Sequence, residues 1–275
     1  MGYVGRGKLL VQSVFMQLLF PPLVRKEGVC IFKTIMISFL ARHSVVDVHY
    51  HQCFQIVVSL GSSIDSVIDG KAYQGLSGFF VNQYITHSCQ AQDTEALVYF
   101  IDAESHPGWR LKNMLDGKPF IPIDAIPPVT DTNMVQFADD LLSRLLPGSS
   151  TQRPLDDRIR EALTYIDDRL DNPLVLDEVA GRVFLSAERF RHLFTQETGV
   201  PFSQYVLWKR IKQVIFQVLQ HGLPMSTACV QNGFTDQSHF TRLFRRTFGV
   251  SAKQLLKNSR YVQFLTPYVQ VALPS

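Results

Sequence analysis

Apolar and polar residues alternate in short runs through the middle of the chain, from about Ser44 to Ile101. These runs are rich in Val, Ile and Phe, which strands favour, and flexible or turn-forming residues separate them. Asp69-Gly70 is the clearest separator, because a type I′ hairpin turn needs positive φ at both central residues. Several short strands at this spacing predict a β sandwich or barrel.

Two segments with helical periodicity follow, at Asn113–Leu115 and Met134–Leu146. The second places its apolar residues on one helical face: Met134, Phe137, Ala138, Leu141, Leu142 and Leu145. Residues 147–154 then begin and end with proline and hold Gly, Ser and Thr between them. That composition predicts an interdomain linker.

The last third of the chain contains an internal repeat with an offset of 50 residues. Seven of the 21 positions from 184 to 204 are identical in both copies: Phe184/Phe234, Phe190/Phe240, Leu193/Leu243, Phe194/Phe244, Gly199/Gly249, Val200/Val250 and Gln204/Gln254. In each copy a short helix, Leu176–Arg182 or Met225–Gln231, leads through a tight turn into a second helix. The predicted caps of these second helices are Ser186, Gly199, Thr235 or Asp236, and Gly249. Two helices joined in this way form a helix-turn-helix.

The second helix of each copy is amphipathic. Its apolar face consists of Phe190, Leu193 and Phe194 in one copy and Phe240, Leu243 and Phe244 in the other. The polar face carries Glu188, Arg191, His192 and Thr195, and correspondingly Ser238, His239, Arg242, Arg245 and Arg246. A solvated surface explains one such helix equally well. Two copies with the same polar face favour recognition of base edges and phosphates.

The charge distribution agrees with that interpretation. The net charge is only +3, but residues 36–153 carry seven Lys or Arg against twelve acids, whereas residues 172–275 carry twelve against five. A basic domain attracts polyanions. The helix predicted between the copies, Phe202–Gln220, spans roughly 29 Å, close to the roughly 34 Å between successive major-groove faces of DNA. One chain is therefore predicted to read two adjacent major-groove segments.

Composition excludes several other classes. The chain has 275 residues, 46% of them hydrophobic and 19% charged, which excludes a disordered chain and a collagen-like fibre and favours two globular domains. Its cysteines are scattered with no C-x-x-C pair, which excludes a disulfide scaffold, argues against a structural zinc site built on cysteines and fits a reducing compartment: Cys30, Cys53, Cys89 and Cys229. No run of 18 or more apolar residues is present, so we expect no membrane association.

The segment Leu176–Lys257 closely resembles the AraC/XylS class of bacterial transcription regulators. The resemblance is carried by the stretch Gly233-Phe-Thr-Asp-Gln-Ser-His-Phe-Thr-Arg-Leu-Phe-Arg-Arg-Thr-Phe-Gly-Val-Ser and by its first-copy counterpart Leu176-Asp-Glu-Val-Ala. It implies DNA contacts by Glu188, Arg191, His192, Gln237, Ser238, His239 and Arg242, and the polar face adds Arg246. The position of Gly233 is occupied by Val183 in the first copy, and a β-branched residue resists positive φ.

Three histidines in the middle region resemble the metal motifs of the cupin barrel. His49 and His51 are two residues apart, so they share one face of a strand, and His87 follows at a distance. Gln55 stands at the carboxylate position of the motif, and a neutral amide is a poor ligand for a divalent cation. We therefore predict no cofactor, with these histidines as metal candidates or as lining of a pocket.

The predicted fold class is α+β, with an N-terminal cupin-like (jelly-roll) β barrel followed by an all-α domain with two helix-turn-helix units joined by a long helix. The predicted divisions are 1–35, an arm or a mis-assigned start before Met36; 36–146, an effector or dimerisation barrel; 147–154, a linker; 155–260, the DNA-binding domain; and 261–275, a tail.

The predicted function is that of a cytoplasmic, sequence-specific DNA-binding transcription regulator, not an enzyme. Its expected partners are double-stranded promoter DNA, a small-molecule effector of the barrel, RNA polymerase and a second copy of the chain. Two alternatives stay open: a cupin-type metal enzyme fused to a DNA-binding tail, and a regulator whose barrel binds no ligand. The missing carboxylate at Gln55 weakens the enzyme alternative, although three histidines suffice to hold zinc.

Overall fold

The N-terminal part of the protein is an antiparallel, nearly closed β barrel, seen in a computed structural model that describes residues 36–124, 126, 134–146 and 155–265. Its strands are β1 (Met36–His49), β2 (Phe54–Ser59), β3 (Ile64–Ile68), β4 (Lys71–Leu76), β5 (Gly78–Val81), β6 (His87–Ile101) and β7 (Phe120–Ile123). The strand order is β4-β3-β6-β2-β5-β7, and β1 also pairs with β6. Asp69 and Gly70 both have positive φ, as the hairpin prediction required. The predicted barrel is confirmed.

An eighth strand, β8 (Ser259–Leu265), closes onto β1 from the other end of the chain. The pairing is antiparallel and runs from Met36 opposite Leu265 to Leu40 opposite Tyr261. The sequence predicts a helical domain up to residue 260 and a tail from residue 261, whereas the strand already begins at Ser259. The strand was missed because its partner lies more than 200 residues away in the sequence. The barrel therefore contains both ends of the described chain.

Two helices cover the barrel core. Helix α1 (His106–Leu115) starts well before the predicted Asn113, because the Ser105 side chain accepts a hydrogen bond from the Gly108 amide and caps it. Helix α2 (Met134–Leu145) matches its prediction within one residue. Their buried leucines join the same core as the inner residues of β1, β2 and β6: Leu111, Leu115, Leu141 and Leu142. The predicted arm at 1–35, the linker at 147–154 and residues 266–275 lie outside the described residues.

Between residues 155 and 258 the described chain forms seven helices. They are α3 (Asp157–Asp167), α4 (Leu176–Arg182), α5 (Ala187–Thr198), α6 (Phe202–His221), α7 (Met225–Gln231), α8 (Gln237–Phe248) and α9 (Ala252–Asn258). The predicted bounds of α4 and α7 agree with the structure, and α6 is one residue longer than predicted. Phe190, Phe194, Phe240 and Phe244 are fully buried, as the amphipathic pattern predicted. Two helix-turn-helix units, α4–α5 and α7–α8, thus flank α6.

The turn of each unit contains one left-handed residue, but the two residues are not the pair that the repeat predicts. In the second unit Gly233 adopts the left-handed region with φ 76°, and Phe234 is 4% exposed. In the first unit Val183 stays at φ −102°. The left-handed residue is the next one, Phe184, with φ 57° and a side chain that is 95% exposed. The left-handed residue of the first turn is therefore Phe184, and not Val183, which the offset of 50 residues had matched with Gly233.

This difference corrects the register of the repeat. The Leu185 amide donates to the Ala180 carbonyl at 3.0 Å, just as the Phe234 amide donates to the Cys229 carbonyl at 3.1 Å. The structural counterpart of Phe234 is thus Leu185, and the sequence identity between Phe184 and Phe234 joins positions that are not equivalent. The offset is 49 residues through the first helix and turn, and it becomes 50 at the cap of the second helix.

A buried ionic cluster fastens the barrel to α6. Asp102, directly after β6, accepts hydrogen bonds from Trp208 Nε1 at 2.6 Å and from Lys212 Nζ at 2.5 Å. Lys209 Nζ lies 3.6 to 3.8 Å from carboxylates of Asp102, Glu104 and Asp167. Burial lowers the pKa of Lys209, but these three acids outweigh it and raise that pKa above its ordinary value. The two parts of the fold are therefore held together by charges that water does not reach.

Candidate functional site

The outer face of α5 presents the three predicted residues of the first unit. Glu188, Arg191 and His192 are all exposed, and their spacing of three and four residues places them on one face of the helix. Ser186 caps the helix by accepting from the Arg189 amide, and Gly199 ends it at φ 73°. Glu188 also lies in the first turn, where the helix dipole stabilises a carboxylate. The position of Glu188 is thus explained by the stability of α5 as well as by a contact with a ligand.

The second unit presents a more basic face. Gln237, Ser238, Arg242 and Arg246 are exposed along α8. Asp236 caps this helix by accepting from the His239 amide at 2.7 Å. Ser238, Arg242 and Arg246 are each four residues apart and therefore follow one line along the helix. Within the described part of the chain, no ion pair holds Arg242 or Arg246.

Two residues of the predicted polar face of α8 have contacts within the protein. His239 is half-buried, and its ring lies edge-on to Phe234 with centroids 5.9 Å apart. Arg245 Nη2 lies 3.1 Å from Asp47 Oδ2 on strand β1. The structure thus leaves Gln237, Ser238, Arg242 and Arg246 as the open part of this face, whereas Arg245 is joined to the barrel.

Arg210 on α6 connects the two helix-turn-helix units, and the sequence analysis did not single it out. Its guanidinium donates to the carbonyls of Leu170 at 3.0 Å and Asn172 at 2.7 Å, which lie just before the first unit. The same group lies against the turn of the second unit, where a Cβ added to Gly233 would come within 2.8 Å of the guanidinium carbon. Gly233 is therefore required both for its backbone conformation and for this close approach.

We expect Gly233→Ala to destabilise the protein more than Gly222→Ala. Both glycines have positive φ, so each alanine costs roughly 1–2 kcal/mol in backbone strain. Gly222 has no atom within 4 Å of its added Cβ, whereas Gly233 faces Arg210. Urea unfolding of the two variants measures the difference, and equal losses of free energy would show that the Arg210 contact contributes nothing.

The end of α8 enters the mouth of the barrel. Phe248 lies among aromatic rings of both parts, with centroids 4.9 Å from Phe100, 5.8 Å from Trp208 and 6.4 Å from Phe39. The Asp47 amide donates to the Gly249 carbonyl at 3.2 Å. A Cβ on Gly249 would lie 2.5 Å from the Asp47 carbonyl oxygen. The glycine that ends α8 is thus also the point at which the second unit meets strand β1.

A cavity of about 250 Å³ lies beneath this junction. Its wall is mostly apolar, and the barrel and the second helix-turn-helix unit both contribute to it, with His49, Gln55, His87, Phe248, Val250 and Leu255 among the lining residues. A largely apolar cavity with a few polar groups is the usual form of a small-molecule site. Any ligand in it would contact both parts of the protein at once.

The three predicted histidines form a cluster, and two of them, His49 and His87, line this cavity. Each is buried, and one ring nitrogen from each lies within 4.8 Å of the others. In each ring Nδ1 lies 2.8–2.9 Å from a backbone carbonyl oxygen, of Asp47, Cys53 and Ile85 respectively. A carbonyl only accepts, so Nδ1 carries the proton and Nε2 carries a lone pair. None of the three Nε2 atoms has a hydrogen-bond partner among the described residues.

Burial keeps these imidazoles neutral. Desolvation lowers the pKa of His49 and of His87, and it lowers the pKa of His51 to about 3, with a further contribution from the neighbouring His49. Gln55 Oε1 is also buried without a partner among the described residues. The structure adds to the predicted histidine motif the tautomer of each ring and its backbone partner.

The C-terminal part matches a family described as a helix-turn-helix domain over residues 179–258. The arabinose operon regulatory protein of Escherichia coli is 32% identical over 123 residues, which cover 44% of this chain and 42% of that protein. The chain thus matches less than half the length of this relative. The probable transcriptional regulator LumQ of Photobacterium leiognathi is 26% identical over 227 residues, which cover 74% of this chain and 89% of that protein.

The whole fold is similar to solved structures of ToxT from Vibrio cholerae. The apo form aligns with a TM-score of 0.54 at 13% identity and covers 82% of this chain and 98% of that one. A form described as bound to an unsaturated fatty acid aligns with a TM-score of 0.52 and covers 86% and 98%. The chain thus combines an N-terminal barrel with a C-terminal part that is similar to helix-turn-helix domains. Among the described residues, no helix is both long and apolar enough to cross a membrane.

Proposed function

We propose that this protein is a sequence-specific DNA-binding transcription regulator. The observation that carries the proposal is the open face of α8, where Gln237, Ser238, Arg242 and Arg246 project from a helix capped at both ends. Amide, hydroxyl and guanidinium groups on one exposed face can hydrogen-bond to base edges and phosphates. The absence of an acidic partner for Arg242 or Arg246 among the described residues leaves both charges available for a polyanion.

In this proposal α5 and α8 act as two recognition helices on one duplex. Glu188, Arg191 and His192 contact one major-groove segment, and Gln237, Ser238, His239, Arg242 and Arg246 contact the next. Helix α6 has 20 residues and spans about 30 Å, close to one turn of DNA. Arg210 supports this arrangement because it contacts the chain just before the first unit and the turn of the second.

The barrel serves in this proposal as the regulatory part. Its cavity contacts the end of α8, so a bound small molecule would favour particular positions of the second recognition helix. Because the relatives described above are regulators, we assign no enzymatic activity to the barrel. We place the protein with the chromosome in the cytoplasm, where it activates transcription through RNA polymerase. Homodimerisation, the last part of the proposal, is tested by analytical ultracentrifugation.

We expect Arg242→Ala to weaken specific DNA binding by roughly 1–3 kcal/mol without unfolding the protein, because an exposed guanidinium contributes to base readout and not to packing. The experiment selects a binding site from random duplexes with the full chain and then compares affinities in gel-shift titrations. Arg158→Ala is the matched control, because Arg158 is an exposed arginine of α3 paired with Asp156. Equal affinities of Arg242→Ala and Arg158→Ala would contradict the assignment of α8 as a recognition helix.

A further inference from the structure

Three histidine rings with unpaired nitrogens lie close together inside the barrel. The Nε2 atoms of His49, His51 and His87 are buried and have no hydrogen-bond partner among the described residues, while each Nδ1 is engaged by a backbone carbonyl. Unpaired acceptors in an apolar interior are costly. Three acceptors without a proton cannot form hydrogen bonds with one another. The arrangement therefore calls for an electron-pair acceptor at the centre.

A single proton cannot satisfy all three atoms, because one proton forms a hydrogen bond between only two of the nitrogens. Neutral imidazoles held through Nδ1 by a carbonyl are the form in which histidine binds transition metals, and the outer hydrogen bond fixes both tautomer and ring orientation. All three rings have this outer hydrogen bond, and it is supplied by three different segments of the backbone. The ligands are thus oriented before any ion arrives.

We propose that His49, His51 and His87 bind one divalent transition-metal ion of the zinc type. Imidazole ligands suit Zn²⁺ and its neighbours, and three histidines with one open position form an established zinc geometry. At the sequence level Gln55 argued against a metal, but three imidazoles are enough without a carboxylate. An ion 2.0–2.1 Å from each nitrogen draws the rings closer than their present separations of up to 4.8 Å.

The open position of this ion faces the cavity, because His49, His87 and Gln55 all line it. Gln55 Oε1 is a weak fourth donor that an incoming oxygen ligand, such as water or a carboxylate, can replace. An ion with three neutral ligands keeps its full charge of +2. The cavity would therefore take an organic molecule with an anionic oxygen at the metal end and an apolar body.

A short chain of contacts leads from the proposed ion through His49 and Asp47 to the second helix-turn-helix unit. His49 donates through Nδ1 to the Asp47 carbonyl, and a Cβ on Gly249 would lie 2.8 Å from that same nitrogen. Asp47 in turn binds the Gly249 carbonyl through its amide and pairs with Arg245 of α8. Inward movement of His49 on metal binding thus acts on the end of α8. This regulatory consequence rests on the proposed DNA-binding function, whereas the metal site does not.

The metal site is tested on the full chain after treatment with a chelator. The chain is loaded with Zn²⁺ or Co²⁺, gel-filtered, and analysed for metal by mass spectrometry and for the visible spectrum of tetrahedral Co²⁺. We expect about one ion per chain in the wild type, and a loss of affinity of more than about 100-fold in His87→Ala, since even outer hydrogen bonds change affinity 10–100-fold. His221→Ala, which removes an exposed histidine, should match the wild type. Equal metal content in all three proteins, or none in the wild type, would overturn the site.

A second variant covers the case in which His87→Ala does not fold. Gln55→Glu places a carboxylate beside the three imidazoles, so it should bind Zn²⁺ at least about tenfold more tightly than the wild type. Unchanged affinity in Gln55→Glu would place the ion elsewhere and contradict the proposal.

The regulatory arm compares DNA affinity with and without Zn²⁺. Coupling through Asp47 predicts a change of about fivefold or more in the wild type, in the usual range for linked sites, and none in His87→Ala. An unchanged affinity in the wild type would refute the coupling. A chain that binds the ion but no selected DNA would refute the proposed function and leave the metal site intact.

Discussion

Replacing Asp102 by alanine is expected to lower the free energy of unfolding by about 3–5 kcal/mol, the range seen when one member of a buried ion pair is removed. The Asp102 carboxylate is fully buried and receives both Lys212 and the indole nitrogen of Trp208. Without it, Lys212 and Lys209 lose their shared partner in the interior. Glu104 compensates incompletely, because burial raises the pKa of its carboxyl and its Oε1 lies 3.8 Å from Lys209 Nζ.

Urea unfolding followed by tryptophan fluorescence measures this effect. Asp93→Ala removes an exposed carboxylate of strand β6, which ends directly before Asp102. This variant should change the free energy of unfolding by less than about 0.5 kcal/mol. Asp102→Asn retains an acceptor for Trp208 but not the charge, so we expect an intermediate loss. If Asp102→Ala were as stable as Asp93→Ala, the cluster would not hold the barrel to α6.

Phe248→Ala should cost about 3–5 kcal/mol, as is usual when a large buried aromatic side chain is truncated. Phe248 is 1% exposed and stacks on Phe244 with ring centroids 4.3 Å apart. Its removal opens a space between α8 and the barrel. We therefore also expect weaker coupling between the barrel and the helices that follow it.

Phe184→Ala is the control for that variant. Phe184 is almost fully exposed and adopts a left-handed backbone, which alanine tolerates no worse than phenylalanine does. The change in unfolding free energy should be within about 0.5 kcal/mol. Similar losses in Phe184→Ala and Phe248→Ala would mean that the aromatic contact across the junction contributes no stability.

The local elements of this protein could be predicted well from its sequence. Helices α4 and α7 were predicted at their observed bounds, because caps, glycine stops and aromatic periodicity all lie within a few residues of each other. The same holds for the Asp69-Gly70 turn. The predicted register of the repeat was wrong at the turn, where Phe184 was matched with Phe234. The second unit has one more residue than the first between its turn and the cap of its second helix, and sequence identity alone does not reveal this difference.

The contacts between barrel and helices could not be predicted. Asp102 and Lys212 are 110 residues apart, and Asp47 and Arg245 are 198 apart. Such pairs have no periodicity or spacing that marks them in a single sequence. Strand β8 was missed for the same reason, and so was the role of Arg210. The histidine motif was visible, but the free Nε2 atoms depend on backbone carbonyls that only the fold places beside the rings.

Hydroxyl-radical footprinting of the full chain on a selected binding site tests the central claim most directly. Two recognition helices joined by α6 predict two protected segments on one face of the duplex, with centres about 34 Å or one helical turn apart. Arg242→Ala should reduce the protection of one of these DNA segments more than that of the other. A single protected segment, or uniform protection without sequence preference, would contradict the account.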